Sequence, residues 1–181
     1  MKYTILIPIY NDRESMTKLI NNINLVLKDL NSEISIIVIN DASSEQIIDN
    51  YPNIENIHSF EIINMKENRG HARCIASGLK YIYEQKEFDF IIPMDGDGED
   101  RPEEIKSFIQ LSEQNRNKSI IGERVKRSEG FMFKIFYKFH KFLTLVFTGK
   151  NIKFGNFTCL SKSTVMKMLD EKATWNSFSG S

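Results

Sequence analysis

Nowhere does the chain hold the roughly 20 uninterrupted apolar residues that a membrane-spanning helix needs. Residues 131–147 come nearest, and Lys134, Lys138, His140 and Lys141 interrupt them. Cysteine is scarce: Cys74 and Cys159 are too few and too far apart for a disulfide framework and lack metal-ligand spacing, so two buried thiols are expected. An excess of charge is missing as well. Lys plus Arg and Asp plus Glu number 24 each, so no global field draws the chain to nucleic acid, and no such partner is expected. Repeats, low-complexity tracts and linkers are absent. Met1 and Lys2 lead straight into Tyr3-Thr4-Ile5-Leu6-Ile7-Pro8, too short a run for a signal peptide, which points to the cytoplasm. The 181 residues fit one domain whose core needs no disulfide or structural metal.

What is present through the first two thirds is an alternation. Short β-branched runs at 4–10, 34–40, 60–65, 88–94 and 119–122 read as buried strands, separated by longer runs with apolar residues three and four apart. This rhythm predicts an α/β fold, a mostly parallel sheet with helices on both faces. The first helix should start near Asn11 or Asp12 and bury Met16, Leu19, Ile20, Ile23 and Leu27. A second is expected from about Arg69 to Glu84. A third starts near Pro102, with Glu103 and Glu104 complementing its dipole. Beyond Arg127 the composition turns basic and aromatic, over residues 128–150. On a helix advancing about 100° per residue, Lys134, Lys138 and Lys141 form one line, with Met132, Phe136, Phe139, Leu143 and Phe147 opposite.

Ligands of an open parallel sheet bind beyond the carboxyl ends of its strands. Those ends carry Pro8-Ile9-Tyr10-Asn11-Asp12, Asn40-Asp41-Ala42-Ser43-Ser44, Glu67-Asn68-Arg69-Gly70 and Asp95-Gly96-Asp97-Gly98-Glu99-Asp100. In the last, four acids within six positions follow the buried run Phe90-Ile91-Ile92-Pro93-Met94 and would repel one another in a low-dielectric setting. A cation resolves the conflict. Mg²⁺ or Mn²⁺ takes carboxylate oxygens, commonly one or two, and leaves its other positions to water and phosphate. Each position also has a plainer reading: Asp100 capping the third helix, Asp41 as a turn residue capping the next helix, Tyr10 as a packed strand-end aromatic.

Taken in order, these segments resemble glycosyltransferase family 2, whose fold is GT-A. The resemblance spans about residues 3–165. Pro8-Ile9-Tyr10-Asn11 is similar to the family's opening motif, and Ile39-Asn40-Asp41-Ala42-Ser43-Ser44 to its second-strand motif, with Glu45 near an expected aspartate. Asn68-Arg69-Gly70-His71-Ala72, ending in Gly78-Leu79, is similar to the segment after strand three. Met94-Asp95-Gly96-Asp97, then Glu99-Asp100-Arg101-Pro102-Glu103, is similar to the metal motif and the turn after it. The resemblance implies a nucleotide-sugar-dependent glycosyltransferase with a bound Mg²⁺ or Mn²⁺ and a UDP- or GDP-sugar donor. Pro8, Tyr10 and Asp12 would border the base, Asp41 would hydrogen-bond it, and Arg69 and Gly70 would line the nucleotide pocket. Asp95 would lie by the ribose or metal, and Asp97 would bind the metal at the diphosphate.

Within the family, the chain is similar to the transferases that load a sugar onto a polyprenyl phosphate. Gly122-Glu123-Arg124-Val125-Lys126-Arg127 resembles their acceptor-side arginine motif, and Gly155-Asn156-Phe157-Thr158-Cys159-Leu160-Ser161 their next strand. Arg124 and Arg127 would then hold the lipid phosphate, since guanidinium forks match phosphate oxygens, although solvated surface charge is the competing reading. The segment between these motifs would lie in the membrane interface, lysines toward headgroups and phenylalanines toward the acyl boundary, making the protein peripheral at the inner face of the membrane. A core helix with snorkelling lysines fits the same pattern. These 181 residues hold no counterpart of that subgroup's transmembrane hairpin, so the expectation is either peripheral action or a truncated chain. Its end, Thr174-Trp175-Asn176-Ser177-Phe178-Ser179-Gly180-Ser181, reads as truncated, because large aromatics usually pack against something.

The implied reaction is in-line displacement at the anomeric carbon with inversion. A phosphate acceptor is already ionised and needs no base. A glycan hydroxyl would need a carboxylate, with Asp100 or Glu99 as candidates, so Asp97 and Asp100 are the expected catalytic pair. No Gln-x-x-Arg-Trp motif is present, against a processive polysaccharide synthase. The glycine-rich Arg-Lys signature of nucleotidyl transfer to sugar phosphates is missing too. A catalytically silent nucleotide-sugar-binding module is the remaining alternative.

Overall fold

The computed structural model describes residues 1–45, 54–98, 100–122 and 157–176. Strand β1 (Lys2–Ile9) lies in the middle of the sheet and is buried along all but its first residue. It pairs in parallel with β2 (Glu33–Asn40), in register from Lys2 opposite Glu33 to Ile9 opposite Asn40. On its other side β4 (Phe90–Pro93) pairs with it, also parallel. Beyond β2 lies β3 (Ser59–Asn64), again parallel. Past β4 the direction changes: β6 (Thr158–Ser161) runs antiparallel to β4 and to β5 (Ile120–Ile121). The six strands are ordered β3-β2-β1-β4-β6-β5.

Alternation along the strands divides the core in two, since successive side chains point to opposite faces of a sheet. Tyr3, Ile5, Ile7 and Ile9 of β1, with Ile34, Ile36 and Val38 of β2, form one face. Helix α1 (Arg13–Leu27) covers it with Met16, Leu19, Ile20, Ile23 and Leu27, and α3 (Glu104–Gln114) adds Ile105, Phe108 and Ile109. Leu6, Ile37, Ile39 and Ile91 face the other way. They meet Cys74, Ile75, Leu79 and Ile82 of α2 (His71–Gln85) and Val165 and Met168 of α4 (Lys162–Asp170). The expected α/β architecture with helices on both faces is therefore present, and the expected strand and helix positions agree to within about two residues. Helix α4 had no counterpart in the sequence reading. Both cysteines are buried free thiols, as expected, and desolvation pushes each thiol up to about 12.

Close approach of α2 to the sheet depends on Gly78. A Cβ there would stand 2.4 Å from Leu6 Cδ1 and 2.8 Å from Ile39 Cγ1, both in the fully packed core. Helix propensity would favour a larger residue by up to about 1 kcal/mol, while overpacking costs about 1–3 kcal/mol. The second effect wins for a branched side chain. Gly78→Val is expected to lower the melting temperature by roughly 4–10 °C for a chain of this size, measured by circular dichroism. An unchanged midpoint would show that the helix can lift off without cost.

Candidate functional site

The carboxyl ends of β1, β2, β3 and β4 share one rim of the sheet, because all four strands run parallel. Past β1, Tyr10 is 53% exposed, so it is not a core aromatic. Asp12 caps α1, its Oδ1 accepting from the Ser15 N–H at 3.1 Å. Between them, Asn11 sits in the left-handed region at φ 50°. Its Oδ1 accepts from Ser44 N at 2.8 Å, and its own N–H donates to Ser43 Oγ at 2.9 Å. The β1 and β2 loops are thereby tied together. Ala42 also takes a left-handed conformation, at φ 57°, which costs an L-residue about 1–2 kcal/mol. Asn40 Oδ1 offsets part of this by accepting from Ser43 N, and its amide donates to Asn64 Oδ1 of β3 at 2.8 Å.

Asp41 anchors one half of the rim. Only 3% exposed, it receives the Arg69 N–H at 2.8 Å on Oδ1 and the Gly70 N–H at 2.9 Å on Oδ2. These groups immediately precede the first residue of α2, at the end of the helix whose dipole favours an anion. The turn there needs glycine: Gly70 has φ 83° and ψ 160°, a region essentially closed to residues with a Cβ. Arg69 enters the site through its backbone, for its guanidinium pairs with Glu67.

The acidic turn after β4 closes the other half. A Cβ on Gly96 would come within 3.0 Å of the Pro8 carbonyl, so glycine lets this turn lie against the end of β1. Asp100 is buried, and its Oδ2 accepts from Asp95 N at 3.0 Å, which folds the turn back on itself. The N-cap of α3 is Glu103, without a side-chain cap bond. Asp97 is exposed and Asp95 partly so. His71, the first residue of α2, reaches across the rim and places Nε2 2.9 Å from Asp95 Oδ1. That hydrogen bond holds the imidazole pKa above its ordinary value; burial opposes the shift, and the charges of Asp95, Asp97 and Asp41 reinforce it.

The structure thus brings Pro8, Tyr10, Asp12, Asp41, Arg69, Gly70, Asp95, Asp97 and Asp100 to one rim. Arg124, Arg127, Glu99 and the basic-aromatic residues 131–147 lie outside the described residues. Sequence reasoning passed over the link from His71 to Asp95, whose local signal was a basic residue at a helix start. It also passed over the Asn40–Asn64 bridge, which carries no local signal.

For a divalent cation, the residues present fit its chemistry. Asp95 and Asp97 supply hard oxygens one residue apart on a turn with two glycines, which suits Mg²⁺ or Mn²⁺ completed by water and phosphate. Among the described residues, no cluster of three or more His, Cys, Asp or Glu side chains stands ready as an all-protein cage.

The model of the glycosyl transferase family 2 domain matches residues 4–178, almost the entire chain. The chain belongs to glycosyl transferase family 2. Its sheet and helices have the GT-A arrangement. Undecaprenyl-phosphate 4-deoxy-4-formamido-L-arabinose transferase of Proteus mirabilis (strain HI4320) is 26% identical over 173 residues, 93% of this chain and 50% of that protein. The chain spans about half the length of this curated relative. Among solved structures, glucosyl-3-phosphoglycerate synthase from Mycobacterium tuberculosis, in complex with Mn²⁺, UDP-glucose and phosphoglyceric acid, superposes with a TM-score of 0.58. The identity is 11%, over 90% of this chain and 57% of that one. TarS 1-349 from S. aureus, in complex with UDP-GlcNAc, gives a TM-score of 0.54 at 22% identity, over 74% of this chain and 38% of that one. At such identities the likeness carries the fold. Among the described residues, no helix is long and apolar enough to cross a membrane.

Proposed function

We propose that the protein is a glycosyltransferase that moves a sugar from a UDP- or GDP-sugar, with Mg²⁺ or Mn²⁺, to a polyprenyl phosphate at a membrane surface, with inversion at the anomeric carbon. The observation that carries this reading is the meeting, on one rim, of the buried Asp41 with the start of α2 and of Asp95 with His71. Similarity over 93% of the chain to an undecaprenyl-phosphate sugar transferase supports the acceptor class. The whole chain forms one GT-A domain, with 128–150 as its basic-aromatic segment.

The chain's residues divide the work. Pro8, Tyr10 and Asp12 border the base. Asp41 keeps acceptor capacity beyond its two backbone bonds, since a carboxylate offers about four lone-pair sites, and it takes an N–H of the base. Arg69 and Gly70 shape the pocket wall through their backbone. Asp95 and Asp97 hold the cation, with Asp95 also near the ribose, and Asp100 keeps their turn closed. When bound, Mg²⁺ or Mn²⁺ supplies Lewis-acid neutralisation of the leaving diphosphate. An acceptor phosphate oxygen forms its bond to the anomeric carbon as the bond to the diphosphate oxygen breaks, and the electron pair leaves with the nucleoside diphosphate. No residue need remove a proton, because a phosphate monoester is ionised at neutral pH. Arg124 and Arg127 grip the acceptor phosphate as bidentate donors. Lys134, Lys138 and Lys141 face anionic headgroups.

Thermal-shift titration with UDP, GDP and their sugars, with and without Mn²⁺, tests the donor side. Ligand at 100 times its Kd stabilises by about 2.7 kcal/mol, a rise of roughly 5–10 °C here. That rise should require Mn²⁺; no nucleotide-dependent rise would end the donor assignment. Co-sedimentation with anionic vesicles, lost on alanine substitution of Lys134, Lys138 and Lys141, tests the membrane side. Turnover onto a soluble glycan without lipid would move the acceptor to a sugar hydroxyl.

A further inference from the structure

Helix α2 begins against a local rule. The positive end of a helix dipole favours acidic side chains and disfavours cations. The first turn of α2 has no acidic residue and instead carries His71 and Arg73. Nor does the fold need His71 for packing, since its side chain is 56% exposed and its ring makes its bond across the rim. Residues that break a local rule without a packing gain are the ones expected to serve a site.

The contacts on either side of His71 say which site. Behind it, Asp41 clamps the two preceding N–H groups, and the glycine-only conformation of residue 70 aims the helix start. Ahead of it, Nε2 lies 2.9 Å from Asp95 Oδ1, and the backbone of Asp95 is in turn fixed by Asp100. An ionised carboxylate only accepts, so Nε2 carries the hydrogen. A carboxylate held through one oxygen presents its other oxygen in a defined direction.

We propose that His71 is a positioning residue: its Nε2–H orients the Asp95 carboxylate for the divalent cation and joins the nucleotide loop after β3 to the acidic turn after β4. This rests on the reading of Asp95 and Asp97 as cation ligands. Partners that orient a ligating group typically account for 10–100-fold in metal affinity.

The test uses two near-isosteric variants of the full chain. H71Q keeps an N–H donor at similar reach, whereas H71M has the same length without one. At fixed UDP or GDP, whichever stabilises the wild type, the Mn²⁺ concentration giving half of the metal-dependent thermal shift is measured. H71M is expected to need about 10-fold more Mn²⁺ or beyond, H71Q to stay within about 3-fold of the wild type, and all three to melt together without ligand. Equal Mn²⁺ midpoints for H71Q and H71M, whether both normal or both weakened, overturn the proposal. A wild type with no Mn²⁺-dependent shift removes the cation reading itself and the proposal with it. Normal wild-type behaviour with an unaffected H71M removes the proposal alone.

Discussion

Asp97→Asn is expected to reduce sugar transfer by on the order of 10²-fold or more and to erase the Mn²⁺-dependent part of the nucleotide thermal shift. Asp97 is exposed on the turn between Gly96 and Gly98, the latter at φ 81°. Its replacement by an isosteric amide therefore changes little in packing, and exposed substitutions of this kind usually stay within about 0.5 kcal/mol. Removal of one hard anionic oxygen at the point where diphosphate charge develops acts on a different quantity. The expected signature is a large loss of rate with an unchanged melting point in the absence of ligand. A variant that retains wild-type transfer and a wild-type Mn²⁺ response would take the cation away from this turn.

The opposite signature is expected at Asp41. Its carboxylate is 3% exposed and receives two backbone N–H groups at 2.8 and 2.9 Å, one on each oxygen. Hydrogen bonds to a charged partner contribute about 1.5–3 kcal/mol each. Asp41→Ala should therefore destabilise by about 3 kcal/mol or more, lowering the melting temperature by roughly 6–12 °C. The loop that starts α2 loses its anchor at the same time, so nucleotide affinity falls with stability. Asp41→Asn retains one acceptor oxygen and should lose roughly half as much. Differential scanning calorimetry of the three proteins measures the series; a melting point for Asp41→Ala equal to the wild type would mean that the start of α2 holds itself.

Both signatures have roots in features visible along the chain. The acids of residues 95–100 follow a buried run, and the strand-end position of Asp41 is readable from the β-branched segment before it. Period decided the elements: continuous Ile and Val runs pointed to parallel strands buried on both faces, and the apolar spacing of residues 16–27 to α1. Helix α4 was less legible. Lys162-Ser163-Thr164-Val165-Met166-Lys167-Met168-Leu169-Asp170 is short and only Val165 and Met168 are buried, so its periodic signal spans barely two turns. The antiparallel entry of β6 also left no mark, because strand direction depends on how the chain returns and not on the residues in the strand.

Roles within the site were decided at still longer range. Asp41 could be read as a helix cap or as a base-binding residue; α2 makes no side-chain cap bond, and Asp41 instead holds the Arg69 and Gly70 N–H groups just ahead of the helix, 28 and 29 positions away, without using up its oxygens. Asp100, read as a cap of α3, turns back to the Asp95 N–H. His71 and Asp95 are 24 residues apart and meet only because α2 and β4 deliver them to the same rim. Pattern along the chain thus carried the elements, the strand ends and the kinds of residue placed there, since these follow from local period and burial. Which carboxylate meets which donor followed from the packing of parallel strands side by side. Hydrogen bonds act over about 3 Å in space, and no spacing in a linear sequence encodes that distance.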